Sequence, residues 1–195
     1  IDSYGVVINN TYGTNAPVSI VNTTSLWSSN NSGNNLKIDS NGAVTLANFQ
    51  LNDSGSNGLL INNSTSTGKA GVTLTNIQIN NNNLNGLTIN SLGLIFITNM
   101  QAEGNYGYGF KLNNAYTGAT AGVTIKNSKD LRNTANGNGD YGYNITTNGA
   151  VSIINLEATK NGGYGGLIDN SSSLKAQAVS LTESFTSEDE YLQYG

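Results

Sequence analysis

Short apolar triplets alternate with polar stretches along almost the whole chain. In each triplet the first and third residues are apolar and the middle one is usually polar, as in Val72-Thr73-Leu74. This two-residue period is typical of a β-strand with one buried face. No 3.6-residue period is present, so the pattern predicts strands rather than helices.

The triplets form two series, named strand A and strand B, which take turns along the chain. Strand A triplets begin at Val6, Leu36, Leu59, Leu87, Phe110, Tyr143 and Leu167. Strand B triplets begin at Val18, Val44, Val72, Ile95, Val123, Val151 and Val179, at intervals of 26, 28, 23, 28, 28 and 28 residues. A period of this size is the signature of a repeat architecture. One strand A, one strand B and the turn that follows make one unit.

Each unit is too short to hold a crossover helix, so successive units are expected to pair in parallel. A third short strand follows strand B in four units, at Phe49-Gln50-Leu51, Ile77-Gln78-Ile79, Met100-Gln101-Ala102 and Leu156-Glu157-Ala158. The sequence therefore predicts an all-β, single-stranded parallel solenoid of about seven coils with three short strands per coil. At about 4.8 Å per coil, the rod is roughly 35 Å long.

An asparagine follows strand B at the same place in six units. Asparagine tolerates turn conformations, and its amide can bond to the asparagine of the next unit, which builds a column of side chains. The predicted asparagine ladder consists of Asn22, Asn48, Asn76, Asn99, Asn127 and Asn155, and Glu183 stands near that place in the last unit.

Three strands per coil with an inward asparagine at one corner resemble the right-handed parallel β-helix of the pectin-lyase-like superfamily. The resemblance covers roughly residues 4–183. It implies the fold but no single activity, because that superfamily includes lyases, hydrolases, phage tailspikes and bacterial surface proteins. We expect a β-helix over residues 1–183, followed by an acidic and aromatic tail over 184–195.

The fifth unit departs most from the repeat, since its turn from Ser128 to Gly142 is longer than its neighbours. Ser128 and Asp130 are expected to replace the apolar residues of the third strand, with Leu131 restoring the core through a bulge. Lys129 and Glu157 are expected side by side on the outer face of that strand.

The repeat stops after Ser184, and the tail carries Phe185, Tyr191, Leu192 and Tyr194. Because an exposed strand edge recruits other chains, the tail is expected to cap the last coil, to act as a linker or to dock on another subunit. The chain begins inside a predicted strand, which indicates a mature form or an excised fragment.

The amino-acid composition excludes several kinds of catalytic and binding site. The chain contains no His and no Cys, which excludes disulfides, thiol catalysis, Cys/His zinc sites and His-based triads. With 8 Lys plus Arg and a net charge of −4 it has no basic stripe for nucleic acid. The longest apolar run, Leu92 to Thr98, is too short to span a bilayer. No calcium-loop motif is present, so neither metal nor cofactor is expected.

Two places remain open as sites. Enzymes of the superfamily use clustered carboxylates with Arg or Lys, and the best such constellation here is Lys129, Asp130, Arg132, Asp140 and Glu157. Tyr108, Tyr141 and Tyr164 sit at comparable places in three successive units. These tyrosines form either a platform for sugar rings or a cover over one corner of the core.

We expect a non-enzymatic, extracellular structural or adhesive module of a prokaryotic surface protein, with no catalytic residues. Its expected partners are itself, head to tail or laterally, neighbouring domains of the same surface protein, or cell-surface glycans. The alternatives are a carbohydrate-active β-helix enzyme, lyase or hydrolase, with its site in the fifth unit, and a glycan-binding adhesin that uses the three tyrosines.

Overall fold

The structure is a computed structural model that describes residues 3–12, 15–65, 69–128, 132–173 and 175–182. Every regular element in these ranges is a β-strand, and none of the described residues forms a helix long and apolar enough to cross a membrane. The predictions made for 129–131 and for the tail, with Phe185, Tyr191, Leu192 and Tyr194, lie outside the described residues.

The first sheet contains seven parallel strands, which are the strand A series. In order across the sheet they are β1 (Val6–Asn10), β3 (Leu36–Ser40), β5 (Leu59–Asn63), β7 (Leu87–Ser91), β9 (Phe110–Asn114), β12 (Tyr143–Thr147) and β15 (Gly166–Asp169). Each strand pairs with the strands of the preceding and following units, which is the neighbour order expected of stacked repeats.

The second sheet contains the strand B series, also parallel. Its main strands are β2 (Val18–Ser29), β4 (Val44–Asn52), β6 (Val72–Gln78), β8 (Ile95–Gln101), β10 (Val123–Lys126), β13 (Val151–Ile154) and β16 (Val179–Thr182), and the short strands β11 (Asn133–Thr134) and β14 (Leu156–Glu157) pair beside them. The predicted register of all seven strand B triplets is confirmed. Parallel all-β sheets with sequential neighbours are consistent with a β-solenoid.

The core runs along the inside of both sheets. In the five inner units the inward residues of strands A and B, such as Ile61, Leu74 and Ile89, are buried, and they form one cluster with the third-strand residues. Burial of each such aliphatic side chain contributes about 1.5–3 kcal/mol. The core therefore supplies the main stabilisation, and its inward pattern is the one that the sequence predicts.

Strand A of the last unit lies one residue earlier than predicted. Ile168 pairs with Ile145, so Leu167 faces outward and is 39% exposed. The inward place belongs to Gly166, where an added Cβ would come 1.9 Å from the ring of Tyr143. The large ring of one unit thus fills the volume that the next unit leaves empty, and the apolar-triplet alignment is wrong here.

The third strand of the fifth unit is also not the segment that the sequence predicted. It is Asn133–Thr134, and Thr134 takes the place beside Glu157 that was predicted for Lys129. Asn133 occupies an inward place that is apolar in the neighbouring units and is fully buried. Its Oδ1 accepts a hydrogen bond from the Met100 backbone N–H at 2.8 Å, which holds this polar side chain inside the core.

Burial raises the pKa of Tyr143 above that of a free tyrosine. A group whose pKa is higher in the folded chain stabilises the fold at pH values below its unfolded pKa, and this contribution is lost as pH rises through the folded pKa. We therefore expect the free energy of unfolding to fall above about pH 10, and to fall less steeply in Tyr143→Phe. Urea unfolding between pH 8 and 11 measures both slopes. The exposed Tyr106→Phe is the control, and an equal slope in the Tyr143 and Tyr106 variants would contradict the assignment.

Candidate functional surfaces

Three of the six residues of the predicted asparagine ladder, Asn48, Asn76 and Asn99, are joined by side-chain bonds at the corner after strand B, on the outside of the core. Asn22 instead exchanges amide-to-carbonyl bonds with Asn48, and among the described residues none of these side-chain bonds involves Asn127 or Asn155. The Nδ2 of Asn76 donates to Oδ1 of Asn48 at 3.0 Å, and the Nδ2 of Asn99 donates to Oδ1 of Asn76 at 2.8 Å. The backbone of all three residues is left-handed, with φ of 52–63°, a conformation that asparagine tolerates. The six predicted residues are half-buried or exposed rather than inward. In the fifth unit Ser128 takes the ladder contact with Asn99.

A second asparagine column, which the sequence did not predict, is buried at the corner before strand A. The side chains of Asn82, Asn105 and Asn138 are each 1% exposed. The Nδ2 of each donates to the Oδ1 of the next unit's asparagine at 2.9–3.1 Å, from Asn82 through to Asn161. The same Oδ1 atoms also accept backbone N–H groups. We call this column the buried ladder.

A glycine precedes strand A wherever the buried ladder passes. An added Cβ at Gly86 would lie 2.7 Å from Nδ2 of Asn105, and one at Gly109 would lie 2.8 Å from Nδ2 of Asn138. The amides therefore need the space that only glycine leaves. The recurring signal is an apolar residue followed three residues later by Asn and seven residues later by Gly, as in Ala102, Asn105 and Gly109.

One unit departs from this rule and compensates for the departure. Ser54 stands at the ladder position, and Asn35 stands where the other units have glycine. The Nδ2 of Asn35 donates to the Asn52 carbonyl at 2.7 Å and approaches Oδ1 of Asn82 at 3.5 Å. Its Oδ1 accepts from Asn31 at 2.7 Å. The Asn35 amide thus supplies the contacts that an asparagine at position 54 would make.

The three predicted tyrosines do come together. The ring centroids of Tyr108 and Tyr141 are 5.6 Å apart, and those of Tyr141 and Tyr164 are 5.1 Å apart with the planes tilted by 36°. The Tyr108 and Tyr141 rings meet edge to face, with their planes at 81°, so neither contact is between coplanar rings. The three rings therefore do not form one flat surface, which favours the covering role over a flat sugar platform.

Asp140 belongs to this row. Burial, and after it the Asp140 carboxylate that accepts the Tyr108 hydroxyl, raises the pKa of Tyr108. The ammonium of Lys111 lies 5.2 Å from the centre of the Tyr108 ring, a distance at which cation–π attraction operates. Tyr108 is thus held on both sides by charged neighbours.

The predicted carboxylate constellation of the fifth unit is divided between different partners. Glu157 pairs with Arg132 at 3.5 Å and accepts the Asn136 amide at 2.8 Å, whereas Asp140 bonds to Tyr108. Lys129 and Asp130 lie outside the described residues. Among the residues that the structure covers, no group of three or more His, Cys, Asp or Glu could hold a metal ion.

The two ends of the sheets are the most apolar exposed surfaces. At one end β1 and β2 expose Val7 by 50% and Trp27 by 69%, and at the other end β15 and β16 expose Leu167 by 39% and Leu181 by 54%. Among the described strands, each of these four has a neighbour on one side only. Unpaired backbone beside apolar side chains is a template for adding another strand.

Comparison of the chain with protein-family models, with curated proteins and with solved structures finds no match. The functional proposal therefore rests on the two ladders, the tyrosine row and the apolar ends. The buried ladder joins the units of one chain, and the apolar ends present strand edges. These two features therefore carry the most weight.

Proposed function

We propose that the chain is a right-handed parallel β-helix of about seven coils, related in architecture to the pectin-lyase-like superfamily, and that it is a rigid, non-enzymatic module of a prokaryotic surface protein outside the cell. The observation that carries the proposal is the use of the polar side chains. In the buried ladder, and in the asparagine ladder that follows strand B, these side chains bond one unit to the next.

Such a rod suits an exterior environment. Its inter-unit bonds are made by neutral amides, which do not titrate between the pKa values of carboxylic acids and amines, and the chain has no thiol to oxidise. Inner strands that are paired on both sides, together with buried amides, also leave few openings for proteases. On this proposal asparagine is abundant because its side chains make the hydrogen bonds between units.

The two alternatives have weaker geometric support. An enzyme of the fifth unit would need Glu157 and Asp140 to act together, and each instead holds its own partner, Arg132 and Tyr108 respectively. A glycan-binding adhesin would use Tyr108, Tyr141 and Tyr164, whose rings contact each other edge to face or tilted and so form no flat platform. Both remain proposals, and glycan binding that is lost in Tyr141→Ala but kept in Tyr106→Ala would support the second.

Antibody labelling of intact cells of the source organism tests the location. An antibody raised against the folded chain is expected to label cells that have not been permeabilised, and brief surface proteolysis of those cells is expected to leave the epitope in place. An antibody against a cytoplasmic protein is the control. Labelling that appears only after permeabilisation would contradict the proposal.

A further inference from the structure

The outward positions of strand A change character at the two ends of the rod. Along the central outward row, four of the five inner units carry a polar residue, namely Lys37, Thr88, Lys111 and Asn144. The two end units carry Val7 and Leu167, both exposed. Apolar side chains at both ends of a row that is polar between them indicate that each end is covered.

The tyrosine row also carries the same kind of residue at its two ends. Backbone bonding places Tyr4 in this row, one residue before the corner, together with Asn34, Asn57 and Asn85 in the next three units and then the three tyrosines. The row therefore starts with Tyr4, 45% exposed, and finishes with Tyr164. Stacking one rod on another places these two aromatic residues in consecutive positions of the same row.

A row of polar residues on the same sheet contains two hydrogen bonds that run in the same direction along the rod. A second copy stacked on the end of the rod would continue that direction. The Nδ2 of Asn62 donates to Asp39 at 2.9 Å, and the Nδ2 of Asn90 donates to Asn62 at 2.7 Å, so in both pairs the donor is in the later unit. In this row the first unit carries Asn9 and the last carries Asp169. A following copy would place the Asn9 amide above the Asp169 carboxylate, with the same direction of donation.

The remaining atoms of this pair fit the joint as well. The Oδ1 of Asn9 accepts from Thr11, and the Oδ1 of Asp169 accepts from Ser171, so each is used within its own turn. The Nδ2 of Asn9 and the Oδ2 of Asp169 bond no described residue. Asp169 is the only charged residue in the four end strands, so no like-charge repulsion opposes the contact.

We infer that the partner of each end is a second copy of this chain, joined so that β15 and β16 of one copy pair in parallel with β1 and β2 of the next. This inference rests on the proposed rod and names its partner. The joint continues the register within the chain, so that Leu167 lies beside Val7 and Leu181 beside Ile20. The contact is head to tail and continues the stacking of strands along the rod axis, so it builds an open filament.

Cysteine cross-linking tests this register in a chain that has no cysteine of its own. Paired strands lie about 4.8 Å apart, within the separation that a disulfide bridges. In one chain Val7 and Leu167 are six strand spacings apart, about 29 Å, so they cannot react with each other. Mild oxidation of the Val7→Cys/Leu167→Cys variant is expected to give a ladder of multimers on a non-reducing gel.

The matched control is Val7→Cys/Lys111→Cys, whose second cysteine lies two units away from the end, and it is expected to give dimers at most. Sedimentation of the wild-type chain is expected to show association that rises with concentration, whether or not the variants fold. Overturning results are multimer yields equal in the two double variants, or a wild-type chain that stays monomeric at all concentrations. The second result includes the case in which residues 184–195 cover their own end. Either could occur while surface labelling succeeds, so the two proposals fail separately.

Discussion

Replacement of Asn105 by alanine is expected to lower the free energy of unfolding by about 3–4 kcal/mol. Its Oδ1 accepts both the backbone N–H and the Nδ2 of Asn82, and its Nδ2 donates to the Ile79 carbonyl and to Asn138. Truncation leaves these groups buried and unpaired, and each such group costs about 1–3 kcal/mol before relaxation.

The matched control for this change is Asn90→Ala on the outer face. Asn90 also donates to the asparagine of a neighbouring unit, at 2.7 Å, but it is only partly buried. Water can replace its partners, so the expected loss is about 1 kcal/mol or less. Urea unfolding followed by circular dichroism measures both losses. Equal losses in the two variants would show that the buried ladder has no special role.

The pair of changes Asn35→Gly and Ser54→Asn is expected to show strong coupling. Asn35→Gly alone removes the amide that bonds Asn31 and Asn52, and Ser54→Asn alone forces a second amide into the same space. We expect each single change to cost about 1–3 kcal/mol. The double variant restores the Gly and Asn arrangement of the other units and is expected to lie within about 1 kcal/mol of the wild-type chain.

A double-mutant cycle in urea measures this coupling directly. The expected interaction energy is stabilising and of the order of 2 kcal/mol or more. Additive losses in the double variant would mean that the Asn35 amide does not stand in for a ladder asparagine. The buried ladder would then be interrupted at Ser54.

The sequence predicted the strands because inward apolar residues alternate with polar ones throughout. Strand B was placed correctly in every unit, since a Val or Ile begins each inward set. Strand A failed only in the last unit, where Gly166 has no side chain and Tyr143 fills its place. When a large side chain of one unit fills the space beside a glycine of the next, the apolar pattern of a single triplet does not reveal the alignment.

Polar residues inside the core were the other source of error. Asn133 gives no apolar signal, so the third strand of the fifth unit was placed too early. The buried ladder was missed because asparagine is common in this chain, and a buried Asn105 looks the same in sequence as an exposed Asn76. Their difference is the glycine that follows the buried ones at a fixed distance.

The candidate surfaces were predicted to a different degree. Tyr108, Tyr141 and Tyr164 were brought together as expected because each precedes a corner glycine of strand A. The split between Asp140 and Glu157 was not predictable, since it depends on which side of the turn each carboxylate faces. Tyr4 was not assigned to the row because the next three units carry asparagine there, at Asn34, Asn57 and Asn85.

Electron cryo-microscopy of the untreated chain at high concentration tests the central claim most directly, that this is a rod whose ends join further copies of itself. We predict unbranched filaments of stacked parallel strands about 4.8 Å apart, with an axial repeat of about 35 Å for seven coils. Isolated rods of that length at every concentration, with covered ends, would contradict it.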